Sequence, residues 1–314
     1  MKKHSKTFIN FLCCFVVKKK NRHHIREKYT KDYLGKKPVL LCFFNRPYET
    51  KSVFEQIRLA QPPRLYLVSD GARKFVEGET ELVDDLRNWI LANVDWPCEV
   101  KTLFREKNIG CGPSCSGGIT WFFENEESGI ILEDDCVPCQ SFFTFCNELL
   151  DKYKNNKRIW GISGNNYDVN FSAKETYLFT RLTSGWGWAT WANRWDKFNF
   201  NLTGWNNKFI KKFHPAKKVR DFYYYMFDRK KKVDGGWAFQ WQLCVMKYKG
   251  LFIHPTKNMV TNIGVNGTSY TNAYDDIYLN IPKNDFDKII HPKRIKEDRK
   301  YLNFQLKLYC DYDC

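Results

Sequence analysis

Four short apolar runs, each closed by a polar turn and each parted from the next by a stretch with helical spacing, constrain this chain most. The runs are "KPVLLCFFNRP" from Lys37, "RLYLVSDGA" from Arg64, "CEVKTLFRE" from Cys98 and "SGIILEDD" from Ser128. Between them lie "YETKSVFEQIRLA", "ELVDDLRNWILANV" and "SCSGGITWFFENE", whose apolar residues recur at helical intervals. Strands alternating with helices cannot pair as hairpins, so they predict an α/β fold: a mostly parallel sheet flanked by helices on both faces. "SFFTFCNELLDKY" (Ser141 to Tyr153) predicts a further helix with a Ser cap. In such sheets ligands bind beyond the carboxyl ends of the strands. Asn45, Arg46, Asp70 and the triplet Glu133, Asp134 and Asp135 all fall at strand ends.

Beyond Tyr153 the pattern loosens into aromatic-rich segments with no Pro/Ser-rich linker, so the same domain continues with a second, site-building half. The division expected is a basic, partly apolar segment over 1–36, one domain over 37–284 and a peripheral stretch over 285–314. A hydrophobic content of 43% supplies a sizeable core and excludes a disordered chain. The net charge of +16 is concentrated near the start, most densely at Lys18 to Lys20. Either a solvated basic tail or contact with an anionic membrane surface accounts for it. "FINFLCCFVV" (Phe8 to Val17) is about half the roughly 20 residues needed to span a bilayer, but it suits an interfacial anchor. The 12 cysteines are scattered, as expected of buried, reduced thiols. Cys111, Cys115, Cys136 and Cys139 have spacings that invite a zinc site, but nothing else resembles a small zinc module. The expected location is cytoplasmic, peripheral at the inner face of a membrane if the N-terminal segment binds lipid.

Three adjacent carboxylates repel one another and resist burial, so a positive charge belongs among them. Hard cations such as Mn²⁺ or Mg²⁺ prefer carboxylate oxygens and bridge them to substrate phosphates. A solvated acidic turn accounts for the triplet equally well when it is taken alone. Its strand-end company of Asn45, Arg46 and Asp70 favours the site.

"EDD" after an apolar strand, with "FNRP" and "VSDGA", resembles nucleotide-sugar glycosyltransferases of the GT-A (Rossmann-like) fold. The likeness is to bacterial family 2-like sugar transferases and, more distantly, to N-acetylglucosaminyltransferase I. It runs from about Pro38 to Asn266 and includes "REKNIGCGPSCSGGI", "SGWGWATWANRW", "GGWAFQWQ" and "HPTKNMVTNIG". The resemblance implies that Asp135 ligates the metal, Asp134 reaches the ribose and Glu133 contacts the sugar. It places Arg46 near the diphosphate or uracil, Asp70 on the base and Asn45 in the donor pocket. His254 matches a late histidine that some relatives supply to the metal; a structural histidine is the other reading. Of the tryptophans most should be core, while Trp186, between Gly185 and Gly187, is the one expected to line the pocket.

An inverting transfer needs a carboxylate to take the acceptor's proton. Related sequences often carry an aspartate where this chain has Ala238, so Asp234 is the substitute. Another carboxylate, or a different mechanism, is the alternative. The function implied is metal-dependent transfer of a sugar from a nucleoside diphosphate, with UDP expected, to a hydroxyl of a cell-surface glycan or lipid-linked acceptor. The rivals are a basic, aromatic-rich nucleic-acid-binding protein, a nucleotidyltransferase and a non-catalytic relative. An acid cluster beside the aromatics argues against nucleic acid. The turn "FFNRPYET" lacks the Gly-rich phosphate loop a nucleotidyltransferase wants.

Overall fold

The computed structural model describes residues 37–232, 236–264 and 278–311. The N-terminal segment and Asp234 lie outside the described residues. Among the described residues no helix is long and apolar enough to cross a membrane.

Each expected strand and helix of the first half is present. Strand β1 (Val39–Phe43) leads to α1 (Pro47–Ala60), then β2 (Arg64–Ser69), α2 (Glu79–Ala92), β3 (Glu99–Phe104), α3 (Cys111–Asn125) and β4 (Ser128–Glu133). Pro47 opens α1, where its fixed φ is already helical and its missing N–H costs nothing. Helix α4 (Gln140–Tyr153) follows a short strand, β5 (Cys136–Pro138). Its expected Ser cap is absent: the chain enters through Cys139 with no side-chain cap. The Asp285 carboxylate instead accepts from Ser141 N at 2.8 Å.

Strands β6 (Ile159–Ser163), β7 (Tyr177–Thr180), β8 (Trp188–Trp191) and β9 (Leu251–Pro255) complete an eight-stranded sheet in the order β3-β2-β1-β4-β8-β6-β9-β7. β3, β2, β1 and β4 are mutually parallel, and β6 and β9 continue their direction across the antiparallel β8. Only β7 and β8 run the other way. The chain leaves β1 toward β2 and β3 and returns to β4 on β1's other side, so a topological switch point lies between β1 and β4. A separate pair joins β5 to β10 (Val260–Asn262).

Alternating side chains of β1 feed two cores: Val39, Leu41 and Phe43 pack with α1 and α4, while Leu40 and Cys42 pack with α3. The second core also takes Trp241 and Cys244 of α7 (Ala238–Lys247). A third cluster joins Ile210 of the 3-10 turn Asn207–Lys212, Val219 and Tyr223 of α6 (Lys217–Lys232), and Leu302 and Leu306 of α8 (Arg299–Cys310). The stretch beyond Asp285 makes several contacts with the sheet and its helices. It caps α4, bridges β7 at Phe179–Glu297 and buries Tyr301 completely.

Candidate functional site

The triplet ends β4 at the switch point, where Glu133 pairs with Cys42 of β1, four residues before Arg46. The positive charge among the acids is that guanidinium. Arg46 Nη1 donates to Asp135 Oδ2 at 2.9 Å, while its Nε and Nη2 both reach the Asp134 carboxylate. Phe44 N donates to Asp134 Oδ2 at 3.3 Å, and the Cys136 thiol donates to Asp135 Oδ1 at 3.2 Å. Both aspartates are buried. Glu133, half-buried, has no hydrogen-bond partner among the described residues.

One cation does not balance three carboxylates. Burial, aided by the Asp135 charge, pushes Asp134 up to about 6 although Arg46 opposes the shift. Burial also raises Glu133 well above the carboxylate range, with the neighbouring aspartates adding to it. Burial works against the Arg46 cation, but the two aspartates more than offset it and raise its pKa. Left to itself, the cluster takes up protons to shed repulsion that Arg46, its one cation partner among the described residues, does not fully offset.

A hard divalent ion meets such a surplus with one or two carboxylates, completing its shell with water and substrate phosphate. Among the described residues no three His, Cys, Asp or Glu side chains are gathered to cage an ion. What these residues would suit is an open site on Asp135 completed from outside the protein, not an all-protein cage. Backbone approaches closely here. A Cβ on Gly264 would stand 2.3 Å from Asp135 Oδ2 and 2.9 Å from Arg46 Nη1.

His254 sits elsewhere in role. It is wholly buried in β9, with Nε2 2.8 Å from Leu182 O and Nδ1 3.4 Å from Asn165 O. Both ring nitrogens face main-chain carbonyls, and burial lowers its pKa to about 4, keeping the ring neutral with one N–H donating to a carbonyl. Asp70 is likewise spent on the fold. Its oxygens accept from the main-chain N–H groups of Gly71, Ile109 and Gly110 at 3.0–3.2 Å, pinning the loop before α3. Burial still leaves its pKa raised. Asn45 Nδ2 donates to the buried Glu79 at 2.8 Å, and Arg73 also pairs with that carboxylate. Asn45 thus ties the end of β1 to the start of α2.

Trp186 is half-buried, with its ring edge-on to Tyr167 at 6.0 Å and to Tyr278 at 6.3 Å. Trp188, Trp191, Trp237 and Trp241 are core, as their size suggests. Gly187 takes φ of 71°, and a Cβ there would press on Val260 of β10 at 2.8 Å. The Trp186 loop and the acid cluster therefore flank one short strand pair, since Ile263 N, just past β10, donates to Asp135 O at 2.9 Å. A Cβ on Gly185 would stand 3.6 Å from that of Ala238, so the start of α7 adjoins the same loop.

The cysteines whose spacing invites a zinc site are divided among other tasks. Cys136 donates to Asp135, while Cys139 contacts Ser141 and Asn284 O. Cys111 and Cys115 lie on α3. All nine cysteines among the described residues are free.

Arg105 escaped the sequence reading. It follows β3 beside Asp70, and its Nη1 is buried without a hydrogen-bond partner. The available signal was its place at the head of "REKNIG", at a strand end. Arg87, which braces the ends of β2 and β3 through Ser69 Oγ, Asp70 O and Arg105 O, gave none.

No family model matches the chain, and no curated protein does. Solved structures of UDP-glucose pyrophosphorylase align with it, one complexed with UDP-glucose and one apo. They share 10% and 11% identity, each at a TM-score of 0.34. The alignments cover 70% and 69% of this chain and 90% of theirs. Superpositions that loose carry no inference about ligand or reaction.

Proposed function

We propose that the chain is a glycosyltransferase that moves a sugar from a nucleoside-diphosphate donor, UDP expected, to an acceptor hydroxyl. The observation that carries the reading is the buried, undercompensated carboxylate cluster at the switch point of a parallel sheet. Mn²⁺ or Mg²⁺ held by Asp135 would offset the diphosphate's charge as it leaves. Asp134 would accept from the ribose. Glu133, whose carboxyl has no hydrogen-bond partner among the described residues, would meet the sugar. Arg105 offers an unpaired N–H that suits a phosphate oxygen, a contact a guanidinium makes with two parallel bonds. Trp186 would form an apolar wall for the donor. Asp70 and Asn45 hold the loops around the base, which replaces the direct contacts expected of them. His254 is not part of the metal site in this reading.

Asp234 remains the proposed general base, three residues ahead of the Trp237–Ala238 segment that adjoins the Trp186 loop. A cell-surface glycan or lipid-linked acceptor, met at the cytoplasmic face of a membrane through residues 1–36, is the acceptor side of the proposal. The Arg46 fork favours one second reading: a relative that binds a nucleotide without metal, its cluster served by the guanidinium alone.

Calorimetric titration of UDP, GDP and CMP, with Mn²⁺ and with chelator, into wild type and Asp135→Asn separates the two. One nucleotide should bind, and lose about tenfold or more in affinity on either chelation or substitution. Binding indifferent to both selects the metal-free relative. Binding of no nucleotide removes the transferase reading.

A further inference from the structure

A cavity of about 600 Å³ lies at the far end of the sheet from the carboxylate cluster. Arg158 precedes β6, and Gly250 and Leu251 open β9. Since those strands run with β4, their starts mark the opposite rim from its carboxyl end. The remaining wall comes from the 3-10 turn and the end of α7.

The lining is strongly cationic. Arg158, Lys208, Lys212 and Lys249 all face this cavity, and none has a carboxylate partner among the described residues. The one acid in the wall, Glu297, is already spent. Arg181 forks onto both its oxygens, with Nε at 2.6 Å, and donates to Phe213 O as well. Lys247 completes the ring, its ammonium 3.9 Å from the centre of the Trp205 ring. Like charges brought round one cavity repel, and no carboxylate among the described residues pairs with these four.

We propose that this cavity binds a compact organic polyphosphate, with two or more phosphate groups paired by Arg158, Lys208, Lys212 and Lys249. Phe209, Phe213 and Met246, which line the same cavity, give the organic body an apolar floor. Volume and chemistry suit a ligand of nucleotide size. A soluble molecule and a lipid headgroup share that chemistry. The site is independent of the carboxylate cluster and its ligand.

Full-length protein is titrated with inositol hexakisphosphate and with tripolyphosphate, in chelator so that metal-dependent binding at the carboxylates is silent. The expected result is binding that weakens at least about tenfold in Lys208→Ala/Lys212→Ala/Lys249→Ala, because charge-assisted contacts are the strong ones. It should persist in Asp135→Asn and in a control carrying Lys174→Ala/Lys257→Ala/Lys288→Ala, exposed lysines outside the cavity. Acetylation footprinting of wild type supplies a readout without substitution: inositol hexakisphosphate should shield Lys208, Lys212 and Lys249 but not Lys174 or Lys288. Vesicles containing phosphatidylinositol bisphosphate distinguish the sources. Vesicle binding that needs the same three lysines, alongside the soluble probes, points to a headgroup. Equal loss in the control, absent shielding, or binding to vesicles alone overturns the proposal.

Discussion

Arg46 and His254 show how a side chain's task is set by what faces it. Arg46 and Asp134 stand 88 residues apart, and only the parallel pairing of β1 with β4 brings them together. The acid triplet and its need for a counter-charge were legible in the sequence. That the counter-charge is a guanidinium was not, because no local pattern encodes a contact across the switch point. His254 was open to two readings, and its burial and main-chain contacts favour the structural one. Its folded pKa near 4 lies below the ordinary 6.5, so the folded state refuses a proton that the unfolded chain accepts. Its contribution is intact above pH 6.5 and is lost as pH falls toward 4. Over that window it amounts to about 3 kcal/mol. The raised Asp134 works in the opposite sense near pH 4 to 6, so the test is a difference. Urea unfolding of wild type and His254→Gln, from pH 4 to 7, should show wild type losing stability relative to the variant as the buffer is acidified. Parallel pH profiles would assign His254 no such role.

At the scale of elements, the first half was readable because each strand and helix carries its own period and its own stop signal. Pro47 after the β1 turn, and the apolar spacing of α1 and α2, needed no tertiary information. The cap of α4 did. Ser141 stood where a cap was expected, yet Asp285, 144 residues away, supplies the acceptor at the helix's second amide. That contact is local in space only. A carboxylate at a helix start also meets the positive end of the helix dipole. Asp285→Ala should therefore cost about 1 kcal/mol, the usual cost of losing a cap, and Asp285→Asn should recover most of it. Denaturant midpoints measured on the two variants check both. If alanine and asparagine are equally stable, Ser141 N finds another acceptor and the cap carries no energy. Charged, irregular sequence of this kind hides the few residues by which it docks.

On the scale of the whole molecule, the question is whether the three cores unfold as one. The first two lie on opposite faces of a single sheet and share its strands. The third is joined to them by α7, a helix buried on two sides. Trp241 and Cys244 enter the second core, while Leu243 and Met246 enter the third. Tyr301 of α8 adds a further tie, packing 5.5 Å from His254 and meeting Tyr167 N through its hydroxyl at 3.4 Å. The Arg181–Glu297 fork and the Asp298 N to Phe179 O bond close the same seam along β7. With this many links crossing between clusters, partial opening of the third would expose the second core's floor. Cooperative loss is the cheaper route. Leu306 is fully buried in the third cluster, so Leu306→Ala should destabilise the protein by about 2–5 kcal/mol. That loss should reach the distant carboxylate end undivided. Far-UV circular dichroism, tryptophan fluorescence and the nucleotide binding proposed above, followed through one urea titration of this variant, should fall on a single curve. An early fluorescence step that spares nucleotide binding would instead mark the α6–α8 cluster as a separate unit, and α7 as the hinge between two.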